Sequence, residues 1–154
     1  MLSASSKKEL IRALRFKNMK DKINWIFKNL HLLVSAAIVI PTGIIYGSPT
    51  LLPEHLDIQV QTVDLSNMLN AIMCLYLGIG FVWLLGVWNP GYWKNATQLN
   101  VLFMLTLGIG RLISMALDGL PSGGYIFGVI AELVLGFYAV YQLIKHKTEL
   151  KVKM

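Results

Sequence analysis

Four long apolar runs, about Leu30–Gly47, Asn67–Trp88, Gln98–Leu117 and Gly123–Ile144, are separated by short polar intervals. Each is close to the roughly 20 apolar residues a helix needs to cross the hydrocarbon core of a bilayer. Backbone N–H and C=O groups find no water there, so runs of this length are predicted as helices. The pattern thus predicts an all-α integral membrane protein, a four-transmembrane-helix bundle. Ahead of the first run, Lys7–Asn29 interleaves basic residues with Leu10, Leu14, Met19, Ile23, Ile26 and Phe27. That recurrence of three to four residues predicts an N-terminal amphipathic interfacial helix, with its apolar side in the headgroup boundary and its cations on anionic lipid. The alternative is a basic tail without stable helix. A secretory signal is disfavoured because Ser35-Ala-Ala37 leads into Ile-Val-Ile-Pro rather than a polar mature segment. The organisation read from the chain is a basic cytoplasmic segment 1–29, a four-span membrane domain 30–147 and a cytoplasmic tail 148–154.

Punctuation along the chain agrees with these runs. Pro41 falls inside the first span and removes a helical hydrogen bond, which predicts a kink in its outer half. Asn89-Pro90-Gly91 is a stop and turn signal after the second span, and Asp118-Gly-Leu-Pro-Ser122 turns the third into the fourth. Trp83, Trp88, Tyr92 and Trp93 gather at one interface as anchors. Gly124, Gly128 and Gly136 recur at multiples of four on the last span, a spacing that lets helices approach, and Glu132 takes the missing place in the series. Leu77-Gly78-Ile79-Gly80 echoes Leu107-Gly108-Ile109-Gly110, but two short glycine pairs do not make a repeat.

Composition fixes the class. Hydrophobic residues are 55% of the chain and charged ones 14%, against about 25% charged in ordinary soluble domains; the mean hydropathy is +0.59. The net charge of +6 is a topological signal rather than a nucleic-acid footprint. Eight basic residues from Lys7 to Lys28 precede the first span, and Lys145, Lys147, Lys151 and Lys153 follow the last. Both termini are therefore expected in the cytoplasm of a cell inner (plasma) membrane. The interval Ser48–Ser66 carries Glu54, Asp57 and Asp64 without Lys or Arg, and reads as an external loop. On this topology the Asn95-Ala96-Thr97 acceptor pattern lies on the cytoplasmic side and is discounted.

Arg111 and Glu132 carry the candidate chemistry. Both lie inside apolar runs, on either side of one short turn, and so at similar depth. At about 1.5 Å per residue each sits roughly 10–15 Å in from the turn. A lone charge at that depth costs at least about 2.5 kcal/mol, so each is expected to face a partner inside the bundle. A bidentate Arg–carboxylate pair would satisfy both; it can be purely architectural, or it can be a site that recognises an anion or exchanges a proton. Ser114 and Asp118 recur with Arg111 at helical spacing, and Asn67 and Asn70 form a polar strip on the second span. Arg111, Glu132, Ser114, Asp118, Asn67 and Asn70 are together the candidate intramembrane polar site, which Tyr76 and Tyr138 could supplement as packing groups. Cys74 reads as a small buried hydrophobe. His31, His55 and His146 are dispersed, so no metal site is expected. Phosphate-binding, dinucleotide and nucleophile-elbow motifs are absent, and no cofactor or catalytic residue is assigned.

Five segments carry a family resemblance: Asp64-Leu-Ser-Asn67, Ala71-Ile-Met-Cys-Leu-Tyr-Leu-Gly78, Gly110-Arg-Leu-Ile-Ser114, Asp118-Gly-Leu-Pro-Ser122 and Glu132-Leu-Val-Leu-Gly136. Over roughly Asp64–Leu143 the chain resembles the small bacterial multi-pass membrane proteins of domain-of-unknown-function family 4345. The family commonly has a basic residue at the place of Asn70 and glycine at that of Cys74, so the chain departs from the pattern on the second span. The resemblance implies a multi-pass membrane protein of unassigned activity and carries over no substrate or cofactor.

Three functions compete at this point. The first is a small binding or accessory protein whose Arg111–Glu132 region either fixes its architecture or receives a lipophilic acid or lipid headgroup, with a membrane-protein partner or second copy beside it. A small proton-coupled transporter is the alternative. A lipid-modifying membrane enzyme comes third, because no second acid–base residue is evident at the same depth.

Overall fold

The structure is a computed structural model describing the backbone of residues 4–56 and 58–146 and the side chains of residues 17–56 and 58–146. Lys7, Lys8, Arg12 and Arg15, whose side chains were read as part of the basic face, lie outside the described side chains, as do Asp57 and the tail 148–154. Among the described residues there is helix and no strand. The elements are α1 (Ala4–Gly47), α2 (Leu51–Leu56), α3 (Val63–Trp88), α4 (Trp93–Asp118) and α5 (Gly123–Lys145). Four helical stretches are long and apolar enough to cross a membrane: Lys17–Gly47, Val63–Trp88, Trp93–Asp118 and Gly123–Lys145. The four-span reading therefore holds.

The chain divides into two units, Met1–Leu30 and His31–Met154. In the first, Met19, Ile23, Trp25, Ile26 and Phe27 of α1 are all exposed.

In the second unit, local capping sets helix ends that hydropathy does not show. Thr62 precedes α3 in extended conformation, and its hydroxyl accepts the Leu65 N–H at 3.1 Å, so the helix begins at Val63 and not Asn67. The Asn89 side chain accepts the Gly91 N–H at 2.9 Å, making a turn tight enough for α4 to start at Trp93. Gly119, at a φ of 98° that disfavours a side chain, ends α4. The helix runs on through Pro41, which sits on an exposed face. Within the stretch read as a plain external loop, Ser48 accepts the Leu51 N–H at 3.2 Å and starts the short α2, whose Leu52 is fully buried.

The core is built from stripes of α1, α3 and α4 at helical spacing. Leu32, Ala36 and Val39 of α1, Tyr76, Trp83 and Val87 of α3, and Trp93, Ala96, Phe103 and Met104 of α4 form one cluster. Tyr76, Phe103 and Trp83 stack edge to face in sequence, with centroids 5.2 and 5.5 Å apart. Phe81, Leu102, Val134 and Phe137 point outward on the opposite faces. Such an apolar exterior is what lipid, not water, would cover.

Helix α4 packs most extensively on α5 and next on α3. Glycines permit the first contact. A Cβ on Gly136 would stand 2.5 Å from Leu105, and one on Gly108 would stand 2.8 Å from Leu133. A Cβ on Gly80 would run into Ile40, whereas Gly78 and Gly110 face open space. Each echoing glycine pair thus contributes one packing member, Gly80 and Gly108.

Candidate functional site

The α4–α5 contact brings the two intramembrane charges together. Arg111 Nη2 lies 3.2 Å from Glu132 Oε1, with the side chains 26% and 12% exposed. Close passage of the helices makes the contact possible, and Gly128 makes room for it: a Cβ there would stand 2.9 Å from Arg111 Nη1. Tyr125, one helical turn earlier, puts its ring under the guanidinium at 5.6 Å. The pair is one-pronged, not the bidentate fork expected. Glu132 Oε2 is buried and has no hydrogen-bond partner.

Beside the pair is a cavity of about 310 Å³. Arg111 and Glu132 line one side, Ile38, Tyr46, Met104 and Leu135 contribute to the rest, and His55 of α2 reaches its wall. Tyr46 and Tyr76 meet edge to face at 5.5 Å and lie within electrostatic reach of the charge pair. Most of the lining is therefore apolar or aromatic, with a few polar groups among them, which is the usual construction of a small-ligand site.

The other sequence candidates are dispersed. Ser114 donates to Asp118 Oδ2 at 2.9 Å on an exposed part of α4, and neither residue lines the cavity. Asn67 and Asn70 are exposed and also stand apart from it. The inward stripe of α3 runs through Leu69, Tyr76, Gly80 and Trp83, and the two asparagines fall off that stripe. Cys74 shares their exposed side, against the expectation of burial. Sequence reasoning missed Tyr46, Tyr125 and His55 as cavity residues. Tyr125 and Gly128 were accessible, because they lie seven and four residues before Glu132 on the same helix. His55 was not, since nothing in an acidic loop announces a helical turn folded back onto the bundle.

A second polar cluster, near the α3–α4 turn, was not anticipated. His31, Ser35, Thr97 and Asn100 have no exposed surface at all. The Thr97 hydroxyl donates to the Trp93 carbonyl at 2.8 Å, which leaves its oxygen to accept from His31 Nε2 at 3.1 Å. His31 is further enclosed by the edges of Trp93 and Tyr138, at 6.2 and 6.0 Å between centroids. Gln142 donates to the Tyr138 hydroxyl at 2.7 Å. His31 Nδ1, Ser35 Oγ and both amide atoms of Asn100 have no hydrogen-bond partner in the structure. Among the described residues no three His, Cys, Asp or Glu side chains converge as a metal-ligand set.

Residues 27–143 match a family described as Domain of unknown function (DUF4345). No curated protein matches the chain, and no solved structure does.

Proposed function

The chain belongs to the DUF4345 family, whose description assigns no activity, and from its own geometry we propose a small membrane binding or accessory protein. Its ligand is the polar head of a lipophilic acid or lipid, received in the cavity beside Arg111 and Glu132. One observation carries this reading: Arg111 meets Glu132 through a single contact while lining a largely apolar cavity. A pair that served only architecture would be expected to close its fork and bury both partners. Here the guanidinium, which also bonds the Tyr76 hydroxyl, keeps about a quarter of its surface and further N–H donors for something else.

The same reading sets the protein in a plasma membrane, the inner membrane in a bacterium, with both termini cytoplasmic. Support comes from the basic residues before the first span and after the last. The segment before residue 30 then lies amphipathically along the inner surface on anionic lipid, and the exposed apolar faces of the bundle meet lipid, a partner membrane protein or a second copy.

Native mass spectrometry after gentle extraction tests the ligand. The unaltered protein should carry a lipophilic acid or lipid that Arg111→Gln loses. A bare protein in both cases, with the variant still folded, would sink the reading. Glu132 and His55 lining one cavity favour a second reading, a small proton-coupled transporter. Proton-coupled flux in proteoliposomes that vanishes in Glu132→Gln would establish it; equal flux in the variant would remove it.

A further inference from the structure

We propose that the head taken by the cavity is the neutral, protonated carboxyl of a lipophilic acid, bridging Arg111 and Glu132 as acceptor and donor at once. This inference rests on the cavity being a ligand site and names the chemical form of its ligand.

Charge balance is the first argument. Arg111 and Glu132 are the one arginine and the one carboxylate of the lining, and their charges cancel. A carboxylate, phosphate or sulfonate would leave a net negative charge among apolar walls, where burying an unbalanced ion is costly. A neutral acid leaves the balance at zero.

Hydrogen-bonding capacity is the second. Glu132 lines the cavity and its carboxylate takes one guanidinium contact, on Oε1, and Arg111, which also bonds the Tyr76 hydroxyl, has further N–H groups. A protonated carboxyl matches both: its O–H donates to the Glu132 carboxylate and its carbonyl accepts from the guanidinium. The O–H to carboxylate bond is charge-assisted and strong for its length. Away from water such a closed network is worth more than its members would be in solvent. An anionic head has no proton for the Glu132 carboxylate and would be repelled by it; an ester offers only an acceptor, and an alcohol has the donor without the planar carbonyl.

The third argument is the walls. The cavity lies at the small end of ligand-sized pockets, enough for the head and the start of an alkyl chain. Ile38 and Phe127 line it and are themselves 43% and 71% exposed. The cavity therefore has an apolar edge on the bundle surface, where a longer chain can pass into the bilayer.

Competition binding on the full chain in nanodiscs tests this, with radiolabelled lauric acid as probe and lauric acid, dodecanol, methyl laurate and dodecyl sulfonate as competitors of equal chain length. Lauric acid should compete at least tenfold better than the sulfonate or the ester, with dodecanol between. In Glu132→Gln, which removes the balancing charge, lauric acid should weaken and the sulfonate gain. Sulfonate competing as well as lauric acid on the unaltered protein would overturn the neutral-acid inference while leaving the cavity a ligand site. No saturable binding of any probe would overturn both. The unaltered protein decides each of these outcomes, so the test does not depend on the variant folding.

Discussion

Toward the α4–α5 turn the bundle encloses two full charges and leaves space beside them, whereas toward the α3–α4 turn it encloses His31, Ser35, Thr97 and Asn100 without exposing any of their surface. The two regions differ in what burial can tolerate. An unpaired ion inside a bundle costs so much that pairing is close to obligatory. A neutral amide or hydroxyl left unmatched costs only about 1–3 kcal/mol, which packing can absorb. A partner for Arg111 is thus unsurprising in itself; the information lies in how incompletely that partner satisfies it. At the other end, open valences on Asn100 and Ser35 speak first of stability and only then of function.

The largest effect that could break this comparison lies in the charge pair. Neutralising one partner, by Arg111→Gln or Glu132→Gln, should destabilise the bundle by up to about 3 kcal/mol. The partial exposure of Arg111 keeps the loss at or below that figure. Exchanging the two residues should retain more stability than either single change, read by denaturant or thermal unfolding in nanodiscs. Equal losses in all three variants would show that the contact does not hold α4 to α5.

Next in size come the glycines that set the α4–α5 distance. Gly136→Ala meets Leu105 and should cost about 1–3 kcal/mol through overpacking. Gly128→Ala meets only the far end of a flexible arginine, so it should cost much less while displacing the guanidinium. Gly124→Ala faces open space and should change stability least. A flat series in unfolding measurements would contradict the packing described.

How much of this was legible beforehand depends on the kind of signal each residue emits. Arg111 and Glu132 were legible because a charge in an apolar run is conspicuous and a short turn fixes relative depth. The four spans were legible as apolar runs. Their edges were not, because Thr62 and Asn89 act through single side-chain hydrogen bonds that a hydropathy reading passes over. Asn67 and Asn70 misled by appearing as polar as Arg111; polarity gives no helix phase, and the phase of α3 turns them outward. His31, Thr97 and Asn100 were invisible for the opposite reason. Each is an ordinary polar residue near the end of a span, and only the register of α1 against α4 brings them together.

That register permits a sign test. Asn100 has a fully buried amide with neither atom partnered, so Asn100→Leu, close in volume and apolar, should raise stability by about 1 kcal/mol. A fall in melting temperature would mean that the amide is hydrogen-bonded in the membrane, and the contrast between the two ends of the bundle would narrow.

The smallest expected effect is the coupling between His31 and Thr97. Interhelical hydrogen bonds in membranes average about 0.6 kcal/mol by double-mutant cycle, because the unfolded chain in lipid also finds partners. His31→Phe keeps an aromatic ring against Trp93 and Tyr138, and Thr97→Val keeps shape while removing the hydroxyl. The lost Thr97–Trp93 contact occurs in both arms of the cycle that carry Thr97→Val, and so cancels. A coupling of about 0.6 kcal/mol would make this hydrogen bond an ordinary membrane contact and leave the α3–α4 end a matter of packing. A coupling near zero would mean that His31 has no bond to Thr97 in the bilayer. His31 would then join Ser35 and Asn100 as a buried group in search of a partner, and the two ends of the bundle would be alike in holding unsatisfied polar groups.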